Sequence, residues 1–544
     1  MSARVYRSEL PSLSSLEPVP TAFSRLAATD PGAVAVIDGA TGAALSRAEL
    51  ARRSAAFAAV LRERGIGTGD LVAIAAPNAA AWPVAALGAW RSGSAVAALS
   101  PLWTVDEMAR LVALVRPRLA VAFDSLADVV RAALDRADLE AEVMPTSALD
   151  SLPQAAPDAD AGAELGALAA VPFSSGTGGL PKGVCLTHRN LAAGARHTAD
   201  GFSSAGEFGP GSVMLAGAPF FHAIGLSLSL AASLARGVRL VTVPRPERDA
   251  LLRLVEAHGV THMTVPPQII DALAYHPDVG TRSLSSLRLV ATGGTHVPAA
   301  SEDEASRRLD AVVRQGYGMT EATCIIAAPQ REPSTPGTVG WLAADTEARL
   351  VHPETGRDQP EGQPGELWIR GAQVMEGYHA APEATAATLT TDGWLRTGDL
   401  VAIRPDGQLE IRGRLKELIK VRASSVAPAE VELVLREHPM VADAAVVGAP
   451  DPETGEAPIA FAVLSGPAYA GDLMAWAAER LAEYKRPRDV RIVETLPRLP
   501  TGKLQRNKLR EMAGKPVGAA TVAAPGEPDE RQHASAQRGL LSPS

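Results

Sequence analysis

Two cysteines, Cys185 and Cys324, are all the thiol in 544 residues, and neither stands in a paired or metal-ligand spacing. That excludes a disulfide scaffold and a structural zinc site, and a reducing cytoplasm is the compartment that fits. Long runs of one charge are also missing: the net charge of -9, from 61 acidic against 52 basic residues, is spread along the chain, so nucleic acid is not an expected partner. The N-terminal "MSARVYRSELPSLSS" holds no apolar run of signal-peptide length, and the apolar stretches near 81–99 and 225–243 are each broken by arginine. Neither an export signal nor a membrane span is expected. Repeats of solenoid length are absent as well.

What the chain does have is length and a globular balance, with 46% hydrophobic and 21% charged residues. It is too long for one ordinary core, so a large multi-lobed unit with a smaller domain is the expected organisation of a soluble enzyme or binding protein. Over the first 300 residues, an amphipathic helix is repeatedly followed by a short apolar strand. "SRAELARRSAAFAAVLRERG" opens with Ser46 and Glu49 in capping-box spacing and leads to "LVAIAA"; "TVDEMARLVALVRP" does the same with Thr104 and Glu107 before "LAVAF". "ALLRLVEAHG" precedes "VTHMTV", and "LRLVATGG" reads as a strand ending in a glycine turn. The alternation predicts parallel sheets covered by helices, an α/β fold.

Beyond about residue 335 the texture changes to short strands with Asp-Gly or Gly turns, which predicts small antiparallel sheets. From about 418 to 514, helices such as "PAEVELVLREHP" mix with strands such as "VADAAVVGAP", about one small domain. "ALDSLPQAAPDADAGAELG" reads as a loop, and 515–544 reads as a disordered tail.

"SSGTGGLPKGVCLTHRN", residues 174–190, gathers hydroxyls and glycines around Lys182. Glycines let backbone N–H groups close on a ligand, and hydroxyls with an ammonium add donors, a set suited to polyphosphate. On composition alone a Ser/Gly surface loop with an incidental lysine is an equal alternative. The segment is neither a Walker loop, because Pro181 precedes Lys182, nor a dinucleotide fingerprint.

Other segments break the tie. "SSGTGGLPKG" with "THRN", then "QGYGMTE" at 315–321, "TGDL" at 397–400, "GRLKELIK" at 413–420 and "PTGKLQRNKLR" at 500–510 occur in this order. The pattern, over roughly residues 20–512, resembles the adenylate-forming superfamily of acyl-CoA synthetases, adenylation domains and luciferases. "PFFHAIGL", "QGYGMTE" and "VAPAEVE" are similar to the 4-coumarate and aromatic acid-CoA ligases. The resemblance implies an N-terminal domain over 1–412, a hinge at 413–417 and a mobile α+β C-terminal domain over 418–514. It also implies the substrates ATP and a small acid, Mg2+ as cofactor, and CoA or a carrier-protein thiol as acceptor.

It assigns roles residue by residue. Ser174, Ser175, Thr177 and Lys182 would hold the β- and γ-phosphates. Gly316, Tyr317 and Thr320 would face the nucleotide, and Glu321 would hold magnesium. Asp399 and Arg414 would meet the ribose, Lys416 would be the hinge, and Lys503 would reach between the acid's carboxylate and the α-phosphate. His222, Thr292, Gly293, Gly294, Thr295, His296 and Gly318 would border the acid or acceptor pocket.

Two segments depart from the pattern. The relatives' Lys-Tyr-Lys-Gly-Phe-Gln, which lines the thiol channel, is "KVRASS" here: Lys420 is kept, and Ala423, Ser424 and Ser425 replace Gly, Phe and Gln. "TGGTHVP" at 292–298 carries the polar Thr295 and His296 where small apolar residues are usual. The leading expectation is an ATP-dependent aromatic or arylacrylic acid-CoA ligase. Its rivals keep adenylation with another acceptor, a carrier protein or, in a diazotase, an aryl amine attacking activated nitrite. A rival of another class is a non-catalytic nucleotide-binding regulator, against which the retained Lys182, Glu321, Asp399, Arg414 and Lys503 speak.

Overall fold

The computed structural model describes the chain except for residues 1–3, 14, 154–162, 175–180, 295–296, 332–333, 336, 423, 500–501 and 515–544. The expected tail and the middle of the segment after residue 148 therefore lie outside the described residues. The start of that segment is ordered rather than loop-like, because Thr146–Asp150 forms a 3-10 turn that buries Leu149. The described residues form two compact units. The larger comprises 1–418 with Ala427–Glu430 and Arg498–Leu504; the smaller comprises Ile419–Val426, Val431–Pro497 and the chain from Gln505.

In the larger unit two sheets share a helical layer. Strands Leu71–Ala75, Ala95–Leu99, Leu119–Ala122 and Glu142–Pro145 run parallel in one. Strands Val213–Ala216, Arg239–Thr242, His262–Thr264, Leu289–Gly293 and Val312–Gly316 run parallel in the other. Successive side chains of a strand face opposite ways. Val72 and Ile74 therefore enter the central core with Trp82 and Trp90, whereas Leu71, Ala73 and Ala75 meet the outer helices Val105–Val115 and Ala127–Arg136. On the other sheet Met214 and Ala216 face inward, and Val213 and Leu215 pack outward with Leu251, Leu252 and Val255 of helix Arg248–His258. Both expected capping boxes close: Ser46 with Glu49 and Thr104 with Glu107 exchange side-chain and backbone bonds. The sheets are not purely parallel, since Lys182–Thr187 joins antiparallel to Leu168–Val171 and to Gly377–Tyr378.

A third, antiparallel sheet orders Tyr6–Arg7, Glu347–Val351, Gly365–Arg370, Leu395–Ile403 and Leu409–Arg414 side by side. The smaller unit is α+β. Strands Val441–Asp451 and Gly455–Leu464 form its central hairpin; the part of helix Pro428–Arg436 from Val431 onward gives Val431 and Leu435 to its core, and helix Ala470–Arg480 gives Leu473 and Ala477. Buried Glu432 ties that unit together: its Oε1 accepts from Val446 N–H and from Arg506 Nη1, both at 2.8 Å.

Candidate active site

The glycine-rich segment is flanked by two strands that pair antiparallel. Ser174 ends strand Phe173–Ser174, and Lys182, which opens strand Lys182–Thr187, is its register partner. Ser175 and Thr177 lie outside the described residues. The Lys182 ammonium sits 4.6 Å from the ring centre of Tyr378, which the pairing of Val184 with Tyr378 brings alongside. Tyr378 then donates its hydroxyl to Glu321 Oε1 at 2.8 Å. One ring thus links Lys182, expected to hold phosphate, to the carboxylate expected to hold magnesium. Burial and the charge of Glu321 push the Tyr378 phenol above its ordinary range, so it stays a donor.

Glu321 belongs to a short turn, Thr320–Ala322, set by an unusual backbone. Thr323 and Cys324 both take positive φ, 48° and 81°, a strained choice for side chains of this kind. The reversal brings the Cys324 carbonyl so close to Gly318 that a Cβ there would sit 1.6 Å from its oxygen, which only glycine tolerates. Thr323 Oγ1 donates to Gln373 O at 2.6 Å, and Met375 N–H donates to Glu321 O at 2.9 Å, so neighbouring chain holds the turn. One oxygen of Glu321 is occupied by Tyr378. The other is left as a hard donor, a set that suits a magnesium ion shared with phosphate oxygens.

Asp399 and Arg414 are register partners on adjacent antiparallel strands. Arg414 Nε lies 2.9 Å from Asp399 Oδ1, and Tyr317 donates its hydroxyl to Oδ2 at 2.6 Å. Asp399 is 2% exposed. Burial raises its pKa above the ordinary carboxylate range, and Arg414 and the Tyr317 hydroxyl oppose that rise by favouring the charged form. Each oxygen retains a lone pair for a further donor.

Lys503 follows Gly502, whose φ of +84° and close approach to the Gln268 amide admit no side chain. A Cβ built on Gly294, itself at φ +90°, would lie 3.8 Å from Lys503 Cε and 3.7 Å from Ile224 Cδ1, so the lysine stem runs beside the glycine turn. Burial and the charge of Arg414 lower the Lys503 pKa, and Glu321, Cys324 and Asp399 oppose them. Lys503 is thereby set among the groups that would meet the nucleotide.

His222 stands before a π-helical turn, Ile224–Ala231, with its ring 4.6 Å from that of Phe221. Burial, helped by the charge of Lys503, lowers its pKa to about 4, so the ring is neutral near pH 7. Thr292 Oγ1 donates to Val265 O at 2.9 Å and braces two strands, while Gly293 pairs closely with Gly316. Thr295 and His296 lie outside the described residues. These glycines end parallel strands, where open α/β sheets bind ligands.

The remaining expected residues are more dispersed. Lys416 is exposed in the turn Leu415–Glu417, which immediately precedes the end of the larger unit's main span at Leu418. In the smaller unit Val421 pairs with Ser424, and Arg422 takes φ 52°. Lys420 donates its backbone N–H to Glu456, and Ser425 continues the strand opposite it. Ala423 lies outside the described residues.

A family model described as "AMP-binding enzyme" matches residues 23–379, and one described as "AMP-binding enzyme C-terminal domain" matches 430–503. The chain belongs to the AMP-binding enzyme family. It is an ATP-dependent adenylate-forming ligase, and the expected α/β fold with a large N-terminal and a smaller C-terminal domain is borne out. It is 36% identical to 4-coumarate–CoA ligase 5 of Oryza sativa subsp. japonica over 93% of this chain and 97% of that one. The ATP-bound crystal structure of MatB from Rhodopseudomonas palustris superposes with a TM-score of 0.83 at 29% identity, covering 91% of this chain and 98% of that one. A point mutant of the amide bond synthetase Mcba from Marinactinospora thermotolerans superposes with a TM-score of 0.79 at 29% identity, covering 91% and 100%. Among the described residues no helix is long and apolar enough to cross a membrane.

Sequence reasoning missed Tyr378, Gln268 and the strained Thr323–Cys324 pair. "EGYHA" carries no motif, and only the pairing of Val184 with Tyr378, across almost two hundred residues, reveals its place.

Proposed function

We propose that this adenylate-forming ligase activates an aromatic or arylacrylic carboxylic acid as its acyl-adenylate and passes the acyl group to the thiol of CoA. The observation that carries the reading is Lys503 set beside Gly294 and within the electrostatic reach of Arg414, Glu321 and Asp399. In the first step a carboxylate oxygen of the acid bonds to the α-phosphorus of ATP and pyrophosphate leaves. Both reactants are anions, so the barrier falls when cations neutralise the charge gathered between them. Lys503 meets the acid's carboxylate and the α-phosphate, and Lys182 with Ser174, Ser175 and Thr177 holds the departing phosphates. Thr320 donates to the α-phosphate, and Gly316 and Tyr317 face the nucleotide. Asp399 and Arg414 hold the ribose. Glu321 would hold Mg2+, which supplies charge neutralisation at the phosphates when bound.

Neutral His222 borders the acid with Thr292, Gly293, Gly294 and Gly318, and Lys416 serves as the hinge about which residues 418–514 turn for the second step. There the CoA sulfur bonds to the acyl carbon and AMP leaves. The similarity to a 4-coumarate–CoA ligase supports the acid class and the thiol acceptor.

A second reading changes only the acceptor. Arg422 is held at φ 52° where "KVRASS" replaces the relatives' glycine-bearing turn, and an amide bond synthetase is among the similar structures. An amine acceptor, or nitrite activated for attack by an aryl amine, fits these observations; a carrier-protein thiol is the other alternative. ATP–pyrophosphate exchange over a panel of aromatic acids and nitrite, followed by mass spectrometry with CoA or an aminoaryl acid, separates them. A CoA thioester supports the first reading, whereas an amide or diazo product formed only with the amine present overturns it.

A further inference from the structure

Strand Val312–Gly316 is the outermost strand of its sheet, and it runs directly into the Gly316–Glu321 segment. Val312 N–H points into the sheet, donating to Arg288 O at 2.8 Å. By alternation the N–H groups of Val313 and Gln315 point off the edge, where each needs a partner. Val313 N–H finds Ser306 Oγ at 3.1 Å, and Tyr317 N–H finds Ala327 O at 2.9 Å. Between them lies Gln315, and one turn before Ser306 on helix Ala299–Leu309 stands Glu302. A helical turn rises about 5.4 Å and two strand residues span roughly 6.6 Å, so the spacing sets Glu302 beside Gln315, with which it lines one cleft.

Glu302 is 7% exposed, and its Oε1 has no hydrogen-bond partner among the described residues. It lines an open polar cleft with Asp303, Arg314, Gln315, Ser334 and Thr335, which gives its carboxyl group a path for proton exchange with water. Gln315 in turn grips the loop after the glycine turn: its Oε1 accepts from Val297 N–H at 3.2 Å and its Nε2 donates to Val297 O at 3.1 Å. Gln315 therefore joins the segment expected to face the nucleotide to the loop expected to floor the acid pocket.

We propose that Glu302 is a positioning residue of the adenylation site, a proton-exchanging anchor that acts through Gln315 to hold the Gly316–Glu321 segment against Val297. The proposal rests on the adenylate-forming role of Gly316–Glu321. Burial raises the pKa of Glu302 to about 7; Arg314 and the Gln315 N–H favour the charged form and Asp303 opposes it. Across the cleft the lining groups are the hydroxyls of Ser334, Thr335 and Thr338. An ionised carboxylate attracts the neighbouring Gln315 N–H groups more strongly than a protonated one does. The charged form is the one that holds Gln315, and with it Val297, in place.

The test is titration calorimetry with MgATP as the only ligand, between pH 6 and pH 8.5, on the full-length wild type, Glu302→Gln and Glu302→Asp. MgATP titrates in the same range, so the quantity read is each protein's profile relative to Glu302→Gln in the same buffers. Wild type is expected to bind about fivefold more tightly above pH 8 than at pH 6 relative to that variant, the scale of one weakened charge-assisted hydrogen bond. Glu302→Asp keeps an ionisable group and retains a step at a displaced midpoint. Coincident wild-type and Glu302→Gln profiles overturn the proposal. If Glu302→Gln does not fold, wild type and Glu302→Asp are compared, and coincident midpoints overturn it. No acid is present in the experiment, so a mistaken acid class leaves the outcome unaffected.

Discussion

Replacing Tyr378 with phenylalanine separates two contacts made by one side chain. Tyr378→Phe keeps the ring 4.6 Å from the Lys182 ammonium and removes the hydroxyl 2.8 Å from Glu321 Oε1. A hydrogen bond to a charged group contributes about 1.5–3 kcal/mol net, and a part-buried cation over an aromatic face about 0.5–2 kcal/mol. Tyr378→Phe should therefore raise the magnesium concentration for half-maximal ATP–pyrophosphate exchange by roughly tenfold or more, because an unanchored Glu321 must be ordered by the ion it binds. Tyr378→Ala should add a further loss of about threefold or more in kcat/KM for MgATP through Lys182. The assay is the initial exchange rate against magnesium at saturating ATP and acid, with the denaturant midpoint measured in parallel. If Tyr378→Phe matches wild type in its magnesium dependence while Tyr378→Ala fails, the hydroxyl does not order Glu321, and Tyr378 acts on the site by packing alone.

Lys503→Ala should lower single-turnover adenylate formation by roughly 10²- to 10³-fold, the scale seen on removing a charge-stabilising donor, with MgATP affinity changed by less than about threefold; an unchanged adenylation rate refutes the role. Gly318→Ala forces a Cβ to 1.6 Å from the Cys324 carbonyl, so the reversal at Thr323 and Cys324 must open. Destabilisation of roughly 1–3 kcal/mol and loss of exchange activity are expected, and wild-type values in both would refute the turn geometry. Acid should also loosen the fold through buried histidines. Burial lowers His188, His197 and His262 to about 4 from an ordinary value near 6.5, so between those values the unfolded chain binds more protons than the folded one. Stability is then complete above pH 6.5 and falls as pH drops toward 4, and a urea midpoint flat across that window contradicts this.

Local rules made the scaffold legible. The capping residues Ser46, Glu49, Thr104 and Glu107 start helices where expected, because a cap is decided within four residues. The apolar runs that follow become central strands buried on both faces, as their lack of polar alternation implies. The same rule was available at Thr187, whose bond from Asn190 N–H starts helix His188–Gly201, but the glycine loop before it dominated the reading of that segment.

The residues proposed to face the nucleotide were legible as candidates for a different reason, since each sits in a short ordered motif. Their supports are not local. Tyr378 reaches Glu321 because strand Gly377–Tyr378 pairs beside Lys182–Thr187, and Glu302 reaches Gln315 because a helix and an edge strand share one spacing. Asp399 shows what such supports do. Alone and 2% exposed, it would give up its charge to burial; paired with Arg414 and Tyr317 it can remain an anion able to accept donors. The motif supplies the carboxylate, and residues 15 and 82 positions away supply the partners that favour its charged form against burial.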